Sequence, residues 1–187
     1  NYLLAIQNIN PQNGLKIENN IRQIIWKIRA KKVILATGSI ERPLIFDNND
    51  RPGIMLANSA SKFLNYYGVK LGKEIVIFTN NDSAYQTAID FYNRGIKVNA
   101  IIDIRNHNKS DIIKKTESLG IKIYYNHAVT NTKGRLKIKS IIINEVDNDV
   151  KNIVGNPIKI KCDLLCVSGG WTPTVHLFTQ SRGKLIY

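Results

Sequence analysis

The chain has 187 residues, of which 43% are hydrophobic, and a formal net charge of +13. This length can bury a substantial core and allows one or two small domains. No apolar run reaches the roughly 20 residues that a membrane-spanning helix needs, so we expect a cytoplasmic protein without a membrane partner. Lysines are scattered over the whole chain, so the charge predicts a solvated surface and no nucleic-acid partner. Because the chain begins with Asn1 and not with Met, we expect it to be part of a longer one.

The first part of the chain has strand patterns that lead into a glycine loop. Apolar and basic residues alternate over 26–30, and the apolar run 33–36 follows them. Both patterns are typical of strands, so two strands are predicted before the loop at Gly38. A turn-rich segment comes next, and then a helical pattern that begins near Asn58 and ends before Gly68.

The middle of the chain predicts a doubly wound α/β arrangement. Residues 75–78 form a continuous apolar run, as in a parallel strand that is covered on both faces. A helix that Asp82 or Ser83 can cap follows and ends at Gly95, and 97–103 forms the next strand. A further short helix and strand complete the alternation.

In the last part of the chain, the strand–helix alternation gives way to a pattern of strands alone. The segments GRLKIKSIIINEVDNDVKN and NPIKIKCDLLCVSGG are rich in β-forming residues and have a turn between them. They predict antiparallel strands that cross back to a second sheet.

Both cysteines of the chain, Cys162 and Cys166, lie in this last β-rich segment. At about 3.3 Å per residue, a strand separates them by roughly 13 Å, whereas a disulfide needs Cα atoms about 4.4–6.8 Å apart. We therefore expect buried, inert thiols and no dithiol redox chemistry.

The turn between the first parallel strand and its helix, Thr79–Ser83, contains no glycine. A dinucleotide site of the usual pattern, Gly-x-Gly-x-x-Gly, uses glycines for the tight turn, for the approach of the pyrophosphate and for helix packing. Asp82 would place a carboxylate where a phosphate should sit, although Asp103 occupies the ribose-binding position. The pattern favours a ligand-free structural unit, with a dinucleotide site as the alternative.

Two other loops are rich in small residues. LATGSIERP contains Gly38, and CVSGGWTPT contains Gly169 and Gly170, each after an apolar strand. We expect the two strands to belong to one sheet, which places the loops side by side at its carboxyl edge, where nucleotides bind. The sequence therefore predicts a ligand at these loops.

No acid–base or nucleophile constellation stands out, so we predict no catalytic residue in this chain. The three histidines, His107, His127 and His176, lack partners at meaningful spacing and are expected to be surface or packing residues. No His, Cys or carboxylate cluster has metal-ligand spacing, and no metal site is predicted.

Several stretches resemble a known family over essentially the whole chain. ATGSIERP and SGGWTP are typical of the pyridine-nucleotide-disulfide oxidoreductase superfamily. RPGIMLA, NNDSAY and PTVHLFTQSRGKL are more specific, and with them the chain resembles the alpha subunit of heterotetrameric sarcosine oxidase.

The resemblance implies a fold and a domain plan. The fold is α/β with two dinucleotide-binding domains of the FAD/NAD(P)-binding, Rossmann-like type. The second is a doubly wound parallel-sheet domain inserted into the first, with antiparallel crossover strands. We expect residues 1–55 and 156–187 to form the first domain and 56–155 the inserted one.

The resemblance also implies an activity. The family demethylates sarcosine to glycine with oxygen and gives hydrogen peroxide and 5,10-methylenetetrahydrofolate. FAD lies on the beta subunit, FMN at the alpha–beta interface, and NAD on the alpha subunit, with beta, gamma and delta subunits as partners. We expect a glycine-rich turn before Asn1 and a tetrahydrofolate-binding part after Tyr187, both outside this sequence.

Carried over by position, the family's NAD would be bordered by the small-residue loops. Arg42 would offer the ligand a positive charge or form a structural ion pair with loop carboxylates. The residues expected at NAD are Ala36, Thr37, Gly38, Ser39, Arg42, Gly169 and Gly170.

Two other functions stay open from the sequence. The chain could be part of a flavin-dependent reductase that uses NAD(P)H at the Asn80 turn. It could also be a scaffold in which neither nucleotide site is occupied. The nucleotide extracted from the intact protein separates these functions.

We predict that Asn81→Gly leaves the nucleotide content of the intact protein unchanged, because one added glycine does not remove the carboxylate of Asp82. The measurement is the amount of nucleotide released from purified protein on denaturation. A strong fall in bound NAD in a folded variant would contradict a ligand-free turn.

Overall fold

The computed structural model describes residues 2–9, 22–107 and 110–186, which form two compact units. The first unit comprises the described residues of 1–38 and 174–187, and the second comprises those of 39–173. The strands in chain order are β1 (Tyr2–Asn8), β2 (Gln23–Arg29), β3 (Ser39–Glu41), β4 (Ile54–Leu56), β5 (Glu74–Thr79), β6 (Lys97–Asp103), β7 (Ile123–Tyr124), β8 (His127–Lys133), β9 (Ser140–Val146), β10 (Ile153–Lys161), β11 (Leu164–Ser168) and β12 (Trp171–Pro173). The helices are α1 (Ala57–Asn65), α2 (Ser83–Asn93), α3 (Asp111–Ser118) and α4 (His176–Gln180).

The first unit contains an antiparallel strand pair. β1 and β2 are aligned so that Tyr2 lies opposite Arg29 and Asn8 lies opposite Gln23. The predicted strand at 33–36 is not formed, and the side chain of Ile34 is 92% exposed. A strand needs backbone partners along its edge, and within the described part of the chain no segment pairs with 33–36.

The second unit is built on a five-stranded sheet with the order β4-β11-β5-β6-β7, in which all neighbours are parallel. The apolar run of β5 lies in the middle of this order, and every residue from Ile75 to Thr79 is buried. Such complete burial requires cover on both faces of the sheet. Asp163 fixes the start of β5 beside β11, since its carboxylate accepts the backbone N–H groups of Lys73 at 2.9 Å and Glu74 at 2.8 Å.

The helices α1, α2 and α3 cover one face of the sheet. Side chains at alternate strand positions, such as Ile75 and Ile77 of β5, point to this face because strand residues alternate between faces. They pack with Ala60 of α1 and with Ala88 and Phe91 of α2, which are all fully buried. The small alanines let the helices lie close to the sheet.

A three-stranded antiparallel sheet with the order β10-β9-β8 covers the other face. Val76 and Phe78 of β5 point toward it and share a core with Ile141 and Ile143 of β9. The described helices and strands therefore form an α/β fold in which helices cover one face of the parallel sheet and antiparallel strands the other. The α/β fold predicted from the sequence, with its parallel sheet and antiparallel strands, is confirmed.

The start of α1 is capped from a neighbouring strand. The side chain of Glu41, the last residue of β3, is 7% exposed, and its Oε2 accepts the backbone N–H of Asn58 at 2.9 Å. The first N–H groups of a helix have no partner within the helix and favour a negative charge. The carboxylate of Glu41 therefore ties β3 to the helix.

One prediction about sheet membership is wrong. The strand before the paired glycines, β11, does not share a sheet with residues 33–36 but lies between β4 and β5 in the second unit. Its five residues are all buried, so both of its edges need hydrogen-bonding partners, which β4 and β5 supply. The domain boundaries after residues 55 and 155 stay a prediction.

No helix in the described ranges is long and apolar enough to cross a membrane.

We predict that Ile101→Ala lowers the free energy of unfolding by about 2–5 kcal/mol, because Ile101 is fully buried between the sheet and the helices. The matched control is Ile45→Ala at a side chain that is 89% exposed, with an expected change within about 0.5 kcal/mol. Urea unfolding of the intact protein measures both. Equal losses in the two variants would contradict the position of this core.

Candidate functional site

The structure divides the seven residues that were predicted to border NAD between the two units. Ala36, Thr37 and Gly38 lie in the first unit. The other four, Ser39, Arg42, Gly169 and Gly170, lie in the second. Each group is described by its own contacts.

The loop in the first unit is held by hydrogen bonds to Thr174, which belongs to the same unit. Thr37 Oγ1 donates to the carbonyl of Thr174 at 2.5 Å, and the N–H of Thr174 donates to the carbonyl of Gly38 at 2.9 Å. Gly38 has φ +68°, and a Cβ added to it would meet no atom within 4 Å. The loop therefore has a fixed, bare backbone with open space beside it, into which a flat or phosphorylated ligand can fit.

The paired-glycine loop in the second unit is hydrogen-bonded to the backbone of Arg42, the residue that follows β3. Gly169 N–H donates to the Arg42 carbonyl at 2.6 Å, and Arg42 N–H donates to the Gly170 carbonyl at 2.8 Å. A Cβ on Gly169 would lie 2.6 Å from the carbonyl oxygen of Pro43, which is closer than real contacts allow. The glycine at 169 is thus required by the crossing of two backbones, whether or not a ligand is bound.

Gly170 and Arg42 form the more open part of this loop. Gly170 has φ +96°, and a Cβ on it would lie 3.9 Å from Arg42 Nη2. Arg42 is exposed, and none of the described carboxylates lies within ion-pair distance of its guanidinium. Of the two roles predicted for Arg42, the structural ion pair is not formed with any carboxylate in the described ranges, and its guanidinium can face a ligand.

The glycine-free turn after β5 is closed by its own side chains. Asn81 Oδ1 accepts the backbone N–H of Ser83 at 3.1 Å and the Ser83 hydroxyl at 2.6 Å. The side chain of Asp82, which was predicted as a possible cap, makes no capping hydrogen bond. The capping hydrogen bond to the start of α2 therefore comes from Asn81 and from neither Asp82 nor Ser83, the two residues that the sequence indicated.

This turn also contacts the paired-glycine loop, a proximity that the sequence did not reveal. Asn81 Nδ2 donates to Ser168 Oγ at 3.0 Å, and Asn80 Nδ2 lies 3.4 Å from the Gly169 carbonyl oxygen. Trp171 Nε1 donates to Ser83 Oγ at 3.0 Å. The two motifs form one hydrogen-bonded cluster because β11 and β5 are adjacent strands that end at the same edge of the sheet.

Asp103, predicted at the ribose-binding position, is 1% exposed and is paired within the chain. Arg105 contacts it through Nε at 3.0 Å and Nη2 at 2.8 Å, and Tyr85 OH donates to it at 2.7 Å. Arg105 Nη2 also forms an ion pair with Asp82 at 2.8 Å. Sequence reasoning missed Arg105, although its place two residues after Asp103 was a signal.

The pKa values of Arg105 and Asp82 are shifted in the directions that favour their charged forms. Hydrogen bonding to Asp103 outweighs burial and raises the pKa of Arg105 well above its usual value. Burial alone would raise the pKa of Asp82, but the hydrogen bond and charge of Arg105 hold it below the usual value. Burial and the neighbouring Asp103 raise the pKa of Tyr85 strongly, so Tyr85 is a neutral donor at ordinary pH.

The three histidines do not form a cluster with one another, and each has its own local contacts or position. His107 Nε2 lies 3.6 Å from a carboxylate oxygen of Glu117, and His127 Nδ1 lies 2.6 Å from the backbone carbonyl of Tyr125. His176 is the first residue of α4. Over the described ranges, no three His, Cys, Asp or Glu residues are grouped closely enough to hold a metal ion.

Both cysteines are free and buried. Burial, reinforced by the charge of Asp163, raises the pKa of the Cys162 thiol to about 12. Burial and the carboxylate of Glu41 raise the pKa of the Cys166 thiol still further. Neither thiol has the lowered pKa that a redox-active cysteine needs.

Solved structures of other proteins share this fold. The thioredoxin reductase of T. acidophilum superposes with a TM-score of 0.66 at 20% identity, over 98% of this chain and 57% of the other. An FAD-dependent pyridine nucleotide-disulphide oxidoreductase from Desulfovibrio vulgaris superposes with a TM-score of 0.59 at 14% identity, over 87% and 41%. The fold is thus that of the FAD/NAD(P)-binding pyridine nucleotide-disulphide oxidoreductases. No family model matches the chain.

Curated proteins with similar sequences indicate a narrower group than the fold does. Sarcosine oxidase subunit alpha of Corynebacterium sp. (strain P-1) is 38% identical over 193 residues, which cover 100% of this chain and 19% of the relative. The same subunit of Rhizobium meliloti (strain 1021) is 36% identical over 177 residues, which cover 95% and 16%. The chain is therefore similar along nearly its whole length to sarcosine oxidase alpha subunits, and the predicted resemblance is confirmed. It spans less than a fifth of the length of these curated relatives.

We predict that iodoacetamide at pH 8 leaves Cys162 and Cys166 unlabelled in the folded protein. Both thiols are buried and stay protonated far above that pH, whereas alkylation needs an accessible thiolate. Mass spectrometry of the two peptides measures the labelling, and the same protein in urea is the positive control. Rapid labelling of the folded protein, or a disulfide between the two, would contradict the inert role.

Proposed function

We propose that the chain is the dinucleotide-fold part of the alpha subunit of a sarcosine oxidase. The observation that carries the proposal is the 38% identity to sarcosine oxidase subunit alpha over the full length of this chain. The reaction is the oxidative demethylation of sarcosine to glycine with oxygen, which gives hydrogen peroxide and, with tetrahydrofolate, 5,10-methylenetetrahydrofolate. The role of this part is to hold NAD and to support the assembly of the subunits.

The residues proposed to contact NAD are Ala36, Thr37 and Gly38 of the first unit, and Ser39, Arg42, Gly169 and Gly170 of the second. The open space beside Gly38 and the loop's fixed backbone fit a flat or phosphorylated group. The unpaired guanidinium of Arg42 suits the negative charge of a pyrophosphate. Both observations support a dinucleotide, and neither depends on the glycine-free turn.

Catalysis belongs to other parts of the proposed enzyme. FAD and FMN would lie on or against a beta subunit, and tetrahydrofolate would bind a part of the alpha subunit outside this sequence. Gamma and delta subunits complete the proposed assembly, and a small secondary amine is the substrate. The described residues of this chain bind and position a cofactor, and we assign no catalytic residue among them.

A flavin-dependent NAD(P)H reductase is the second candidate, because the fold matches a thioredoxin reductase over 98% of this chain. Such an enzyme would use nicotinamide nucleotide at the Asn80 turn, and a thioredoxin reductase would also need a reactive dithiol. The closed turn and the two buried thiols argue against it. A scaffold with no bound nucleotide is the third candidate.

Nucleotide extraction from the intact protein distinguishes the three candidates. Tightly bound, non-exchanging NAD together with oxidation of sarcosine is expected. Bound FAD with turnover of NADH would favour the reductase, and a protein free of nucleotide would favour the scaffold. Chromatography of the denatured extract and an oxygen-uptake assay give the two measurements.

We predict that Gly38→Val removes most of the bound NAD, because the branched side chain enters the open space beside the loop. The matched control is Gly68→Val, since Gly68 has φ +66° and open space too but lies just after α1. Both variants carry the strain of a branched residue at positive φ, so both lose some thermal stability. Full NAD occupancy in a folded Gly38→Val protein would exclude this loop from the site.

A further inference from the structure

The carboxylate of Asp103 has no acceptor position left for a ligand. Oδ1 accepts the backbone N–H of Arg105 at 3.0 Å and its Nε–H at 3.0 Å. Oδ2 accepts Arg105 Nη2 at 2.8 Å and Tyr85 OH at 2.7 Å. A carboxylate offers about four acceptor positions, so the chain itself fills those that a ribose would use.

The start of α2 is filled in the same way. Backbone N–H groups at a helix start attract phosphate, but here the N–H of Ser83 is bound to Asn81 Oδ1 and that of Tyr85 to the carbonyl of Asp82. The carboxylate of Asp82 adds a negative charge at the same place. The carboxylate at the ribose-binding position and two of the N–H groups at the helix start are therefore engaged within the chain.

One residue joins the two filled positions. The guanidinium of Arg105 spans from Asp82 on the turn to Asp103 at the end of β6, with 2.8 Å contacts on both sides. These contacts place the side chain of Arg105 over the carboxyl ends of the strands. The side chain is 29% exposed, and it partly shields Asp103 from water. A buried carboxylate left without its partner is strongly destabilising, which makes this bridge costly to open.

We propose that Arg105 is an internal occupant of the cleft between the turn after β5 and the end of β6, which closes this cleft to dinucleotides and fastens the turn to the end of β6. The cleft has become part of the fold, with an arginine in the place of a ligand. This inference is separate from the proposed NAD site, because Asp82, Asp103 and Arg105 are not among the residues proposed to border NAD.

Hydrogen exchange of the intact protein, read by mass spectrometry, tests the proposal. In the wild type, a millimolar excess of NADH or of NADPH is expected to leave exchange in segment 103–106 unchanged; this segment is the one read with nucleotide, because 79–85 also contacts the paired-glycine loop of the proposed NAD site. In Arg105→Ala, exchange in both segments, 79–85 and 103–106, is expected to rise several-fold. The control Arg94→Ala removes an exposed guanidinium just after α2 and is expected to match the wild type in both segments.

Two results would overturn the proposal. Slower exchange in segment 103–106 of the wild type with either nucleotide would show that the cleft is open to ligand. Wild-type exchange in the Arg105→Ala variant would show that Arg105 does not fasten the two segments. If that variant does not fold, the nucleotide measurement on the wild type decides alone.

Discussion

A buried strand must find hydrogen-bonding partners along both edges, and β11 meets this requirement by lying between β4 and β5. All five of its residues are buried, and it joins the edge strand β4 to the rest of the parallel sheet. The loops that follow β11 and β5 must then lie at the same edge. The contact between the paired glycines and the Asn-Asn-Asp turn is a direct result of this strand order.

The turn after β5 shows how a nucleotide fold is maintained without its glycines. The amide of Asn81 caps the helix and also donates to Ser168, so one side chain serves two elements. Arg105 then balances the two carboxylates that remain near the strand ends. These interactions give the turn a single closed arrangement, whereas a glycine turn leaves room for an incoming phosphate.

Local pattern predicted the elements of the second unit well. The apolar run of β5, the helix that ends at Gly95 and the strand that ends at Asp103 all occur as expected, because period and end signals depend on nearby residues. The sheet membership of β11 was predicted wrongly, since an apolar strand carries no signal for which neighbours it joins. The bridge through Arg105 was missed for the same reason, as it joins groups from two separate strand ends. The segment 33–36 reads as a strand but has no partner among the described residues, and pattern alone cannot supply one.

The position of β11 also affects the order in which this unit can form during synthesis. β5, α2, β6, α3 and β7 follow one another closely and can pair as soon as they leave the ribosome, because their contacts are local. The strand that joins β4 to them emerges only after the whole antiparallel sheet has been made. Until then the edge of β5 that β11 later covers lacks its parallel partner, and an unpaired strand edge of this kind is where a partly made chain can pair wrongly.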